Sequence, residues 1–201
     1  IFSDHVQCES LRTEAVSLVI SGGVNATEFC ARSTLGALSL HFGASTTNTI
    51  RDLFLLGNAG NAITLASASP PTPWFLKLLR RPCVHHVNVA SSDASLGETI
   101  YPRASVDAGG NVNWNFGATV LAWNGSYSSD FSVAANWTPN LVPDANVRVV
   151  MNGHVSNAPV VSASQAVLEL QLGCDTRTDL SVDAPLHVGE DLTVYGYGQL
   201  I

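Results

Sequence analysis

Three short segments near the end of this 201-residue chain, Leu180-Ser-Val182, Leu186-His-Val188 and Leu192-Thr-Val194, repeat one L-x-V pattern every six residues. In an extended chain successive side chains alternate between faces, so the Leu and Val of each segment share a side and the polar residue takes the other. Strands of three residues are too short to persist as separate hairpins. They suit a coil in which each strand pairs with the turn above and the turn below, and three six-residue sides would make one triangular turn. An ordinary β-sandwich with short strands is the competing architecture.

The same alternation recurs upstream, whereas sustained helical periodicity does not. The pattern predicts strands over Ala15–Ile20, Ala37–Phe42, Ile50–Leu56, Ala62–Ala66, Trp74–Leu78 and Val84–Val89. It predicts further strands over Val147–Met151, Val167–Leu172 and the three L-x-V segments. Gly, Asn, Ser, Asp and Pro fill the gaps, the residues that turn a chain at little cost. Only 12% of residues are charged against 46% hydrophobic, a balance that fits stacked strands with uncharged polar turns better than exposed helices. The expected fold class is therefore all-β, with parallel β-helix modules in tandem. The expected division is a module over 1–117, a joint with a lead-in loop over 118–146, and the start of a second module over 147–201. Tyr127–Pro143 lacks strand periodicity and reads as a packed loop anchored by Trp123, Phe131 and Trp137.

Charge narrows the partners. A net charge of -7 with a single lysine, Lys77, disfavours nucleic acid, which needs clustered cations to displace counterions. Lys77, Arg80 and Arg81 form a local patch only. No stretch approaches the roughly 20 apolar residues of a membrane span. The chain opens at Ile1 without Met and stops in mid-pattern at Ile201, so it reads as a piece of something longer. Four cysteines (Cys8, Cys30, Cys83, Cys174) lie far apart. Two disulfides fit that count, and small buried thiols are the favoured state. Sequons at Asn25, Asn124 and Asn136 are expected by chance in so Asn- and Ser-rich a chain.

Four groups of residues have chemistry to offer. Asp107, Asn111 and Asn113 stand in a Gly-rich loop whose side-chain oxygens suit a hard cation such as Ca²⁺. The plainer expectation is that they tie the turn to its own backbone. Six of the sixteen acidic residues crowd into Glu169, Asp175, Asp179, Asp183, Glu190 and Asp191. They suit a Ca²⁺ site or the carboxylates of a polysaccharide-cleaving β-helix, but a solvated acidic edge that discourages aggregation is favoured. Cys83, His85 and His86 form a C-x-H-H cluster; on a strand His86 would point away from the other two, and no second cluster completes a metal set. His5, His41, His154 and His187 are scattered singly. Trp74, Trp114, Trp123 and Trp137, with Phe116, fall at module edges, where capping is expected ahead of a sugar-stacking role. No hydrolase, P-loop, dinucleotide or zinc-protease motif is present.

Several segments together resemble modules of large repetitive bacterial surface proteins built on right-handed parallel β-helix repeats. They are Phe42-Gly43-Ala44, Leu56-Gly57, Ile63-Thr64-Leu65-Ala66-Ser67, Pro73-Trp74, Val87-Asn88-Val89 with Ser92-Asp93-Ala94, Asp107-Ala108-Gly109-Gly110-Asn111 and Trp114-Asn115-Phe116. Gly43-Ala44 inverts the usual order, and Asn113 stands where Gly is common. The resemblance spans roughly residues 35–201 and is specific for architecture rather than activity. It implies a non-catalytic structural or adhesive segment, secreted and placed at the cell surface. Its expected partners are neighbouring modules of the same chain, and surface glycans or other cell-surface proteins. A carbohydrate-active β-helix enzyme and a carbohydrate-binding module are the alternatives.

Overall fold

The computed structural model describes residues 6–13, 16–34, 36–153, 155–174 and 176–201, with side chains from residue 13 onward. The chain is a parallel β-solenoid, and its contacts divide it into two units, Ile1–Ala118 and Thr119–Ile201. Among the described residues the only helical element is one 3-10 turn, Ala134–Asn136, and no helix is long and apolar enough to cross a membrane.

The first unit holds β1 (Val6–Thr13), β2 (Ser17–Ile20), β3 (Val24–Arg32), β4 (Leu38–Phe42), β5 (Thr47–Leu56), β6 (Ile63–Ser67), β7 (Trp74–Leu78), β8 (Cys83–His85), β9 (Val87–Val89), β10 (Ser92–Asp93) and β11 (Val106–Asp107). One sheet runs β1-β3-β5-β7-β10, with β8 beside the second half of β5, and the other runs β11-β9-β6-β4-β2. Every pairing in both is parallel, so each turn of the chain lays one strand on each sheet. Alternation then becomes vertical columns: Leu40 lies beside Leu65 and Leu65 beside Val89, while Leu38, Ile63 and Val87 form the next column. All six are at most 1% exposed, and each such side chain contributes about 1.5–3 kcal/mol by leaving water.

The expected Val84–Val89 strand is divided, because His86 turns the chain at φ 50. Gly57 packs beneath that corner, where a β-carbon would sit inside the carbonyl oxygen of His86. Polar side chains also reach the interior, Ser92 and Asn48 among them. Asn48 is fully buried, accepts from the Val24 N–H (3.1 Å) and donates to the Phe75 carbonyl (3.1 Å), linking three successive turns.

The second unit holds β12 (Val120–Trp123), β13 (Trp137–Thr138), β14 (Arg148–Met151), β15 (Val160–Val161), β16 (Gln165–Leu172), β17 (Thr178–Val182), β18 (Leu186–Val194) and β19 (Gly198–Leu200). Strands β12, β14, β16 and β18 stack in parallel, β13 lies antiparallel to β12, and β15-β17-β19 form the other sheet. The six-residue triangular coil is not formed. Arg148 pairs with Glu169 and Gln165 with Leu186, so a turn takes 21 residues. The second and third L-x-V segments run on as the single strand β18, with a bulge opposite Val167–Glu169. The bulge adds one residue and reverses the faces of the strand: Leu186 and Val188 pack against the core, whereas Leu192 (46%) and Val194 (36%) are exposed and Thr193 is buried. Only the first gap, Asp183-Ala184-Pro185, carries a proline to break the strand.

Residues 118–146 carry a strand and a docked loop. β12 pairs with β14, and the loop that follows docks through Phe131 N–H to Val160 O (3.1 Å) and Val160 N–H to Ser129 O (2.8 Å). Asn136, fully buried, holds the loop from within: its Oδ1 accepts from the N–H groups of Tyr127 and Ser128, and its Nδ2 donates to Ser128 Oγ and Asp130 O.

The cysteines depart from a set of buried thiols. Cys30 is one, but Cys83 and Cys174 are disulfide-bonded. Disulfide formation follows Cα proximity in the fold, which spacing along a sequence does not reveal.

Candidate functional site

The Gly-rich loop spends its oxygens on itself. Asp107 Oδ1 accepts from the Gly109 N–H (2.9 Å) and from Asn111 Nδ2 (2.6 Å). Asn111 also donates to Val89 O and accepts from the Ser92 N–H. Asn113, at φ 63, donates to Ala94 O and Gly97 O and accepts from Thr99 Oγ1. Asn111 and Asn113 thus fasten this turn to the one before it.

The described acidic residues are divided among separate partners, two of them sharing Arg148. Glu169, 3% exposed on β16, lies 3.2 Å from Arg148 Nε, and Glu190 reaches Arg148 Nη2 at 3.2 Å from β18. Asp191 accepts from Thr193 Oγ1 (2.6 Å) and Asp183 from Ser181 Oγ (2.9 Å). Asp179 forms a two-point pair with Arg177 (3.3 Å at each oxygen). Asp175, like His5 and His154, lies outside the described residues.

The C-x-H-H cluster is rearranged by the corner at residue 86. Cys83 is tied up in a disulfide, while the turn brings His86 Nδ1 to 3.3 Å from His85 Nδ1, against the expectation that the rings diverge. Burial, and then the nearby Arg103 guanidinium, hold His86 below the usual imidazole range. No group of three or more His, Cys, Asp or Glu is placed to hold a metal among the described residues.

The tryptophans lie inside. Trp74 is 1% exposed and stacks on Phe42 at 4.1 Å. Trp114 stacks on Phe116 at 5.9 Å and donates to Ser92 Oγ. Trp123 and Trp137 meet edge to face at 5.0 Å, with Phe131 against Trp137 at 4.9 Å. None of these four indoles offers an open face on which a sugar ring could stack.

The exposed aromatic in a concave setting is one that the sequence reading passed over. In Tyr195-Gly196-Tyr197-Gly198 the Gly198 N–H bonds back to Tyr195 O (2.9 Å), closing a tight turn between β18 and β19. Tyr195 is buried, and Tyr197 is 48% exposed. Gly198 allows the turn to settle on the strand below, since a β-carbon there would collide with the Leu172 carbonyl. Tyr197 overlooks a cleft of about 540 Å³ formed where three successive turns stack. Val155, Ala158 and Pro159 supply an apolar wall, and Thr176, Thr178 and the Arg177–Asp179 pair supply the polar rim. A recurring Tyr-Gly doublet beside a strand end was the available signal; which Tyr faces outward depends on the turn and is not written in the doublet.

Comparison with known families, with curated proteins and with solved structures gave no match for this chain.

Proposed function

We propose that this chain is a structural and adhesive segment of a large exported bacterial surface protein, without catalytic activity of its own. It acts by stacking with neighbouring modules of the same chain and by presenting a long polar flank to surface glycans or other cell-surface proteins. The observation that carries this reading is the continuous parallel stacking in each unit, with its tryptophans committed to the interior. A solenoid of this kind buries ladders of apolar side chains, satisfies its backbone from turn to turn and leaves an extended surface for contacts. Antibody labelling of intact producing cells tests it. Label on unpermeabilised cells, lost after mild external proteolysis, is expected; label only after permeabilisation overturns it.

A second reading, a carbohydrate-active β-helix enzyme, draws on Glu169 and Glu190 sharing Arg148. It requires release of reducing ends or unsaturated products from a polysaccharide, abolished in Glu169→Gln. The non-catalytic reading expects no release from wild type.

A further inference from the structure

We infer that the cleft beneath Tyr197 is a binding site for a neutral oligosaccharide. The inference rests on the adhesive reading above and adds to it the place of contact and the class of ligand. A sugar ring has an apolar C–H face and a rim of hydroxyls that both donate and accept. The cleft is matched to both halves. Tyr197 and the wall of Val155, Ala158 and Pro159 offer apolar surface, while the paired Arg177 and Asp179 offer a donor fork beside an acceptor. Its volume of about 540 Å³ lies within the roughly 300–1,000 Å³ of small-ligand clefts.

Other occupants fit less well. An extended peptide would bind by strand addition, which needs free backbone groups. Three backbone groups beside the cleft are already engaged: Thr178 N–H to Tyr197 O (3.0 Å), Tyr195 N–H to Leu172 O (2.9 Å) and Gly198 N–H to Tyr195 O (2.9 Å). A polyanion, whether nucleic acid or a uronic-acid polymer, meets an arginine already balanced by Asp179 on a chain of net charge -7. An apolar wall beside an internally balanced pair of charges favours a neutral sugar.

Electrophoresis through native gels containing a neutral β-glucan, a neutral galactomannan or polygalacturonate tests the assignment on the full chain. At least one neutral polymer is expected to retard the wild type, and polygalacturonate is not. Tyr197→Ala should weaken retardation about tenfold, with Tyr197→Trp restoring it. Arg177→Ala should also weaken it. Tyr127→Ala, which removes another exposed tyrosine, should leave it unchanged. Because Tyr197 is half-exposed, an unchanged melting temperature for Tyr197→Ala separates lost binding from lost fold. Retardation by no neutral polymer, or retardation unaffected by Tyr197→Ala, overturns the site. Either result leaves surface labelling, and with it the adhesive reading, to stand or fall on the cell experiment.

Discussion

Asn48 and Asn136 are asparagines in places where sequence alone offers leucine or alanine as the natural occupant. Each is fully buried and each satisfies groups that no strand reaches. Asn48→Ala should therefore leave the Val24 N–H and the Phe75 carbonyl without this partner, at about 1–3 kcal/mol, read as a lower urea midpoint. His86 makes a different kind of residue-scale prediction. Its folded pKa is lowered by burial and by Arg103, so the unfolded chain binds more protons in the window below about 6.5. The stability that its neutral ring confers is complete above that pH and is lost as pH falls towards the folded pKa. Melting temperatures between pH 7.5 and 5 should decline less in His86→Asn, a residue that tolerates the positive φ, than in the wild type. At this scale the local turn chemistry was legible at Asp107, which accepts from the Gly109 N–H, but not at Asn111 and Asn113, which bond to the preceding turn of the coil rather than to their own backbone. Tyr197 was not legible, since exposure is set by which way a turn is closed.

At the scale of elements, strands whose apolar residues alternate were found from their pattern alone, as with β4, β6 and β7. β3 was missed because Phe29, Cys30 and Ala31 are buried in succession, and a strand covered on both faces shows no alternation. β5 breaks the pattern in the same way over Leu53–Leu56. The L-x-V repeat misled in the opposite sense: the corners between repeats were inferred where only Pro185 enforces one, and the bulge in β18 turns Leu192 and Val194 outward, which the six-residue spacing does not show. Two substitutions probe the contacts between turns. Trp74→Ala removes the ring stacked on Phe42 and should cost about 3–5 kcal/mol in chemical denaturation. Gly57→Ala drives a β-carbon into the His86 carbonyl and should cost about 1–3 kcal/mol, since backbone rather than a flexible side chain must give way.

For the whole molecule, described residues that hold one 3-10 turn and otherwise strands, nearly all paired in parallel, should show a single β-type minimum in far-UV circular dichroism; a helical double minimum would contradict the fold. With a pI of about 5.1, its solubility should be lowest near pH 5, measured by light scattering across a pH series. In the parallel ladders between the described strands, partners stand one circuit of the coil apart in sequence, from Val6–Val24, 18 residues apart, to Phe54–Cys83, 29 apart. That spacing sets an order of events. A circuit gains its hydrogen-bonding partner as soon as the next two or three dozen residues leave the ribosome, so the coil can grow from its first turn while the rest of the chain is still being made. Apart from the disulfide at Cys83, whose partner lies more than one circuit away, no distant segment has to wait for another, and an emerging strand finds its edge covered by the very next circuit before a foreign strand can claim it.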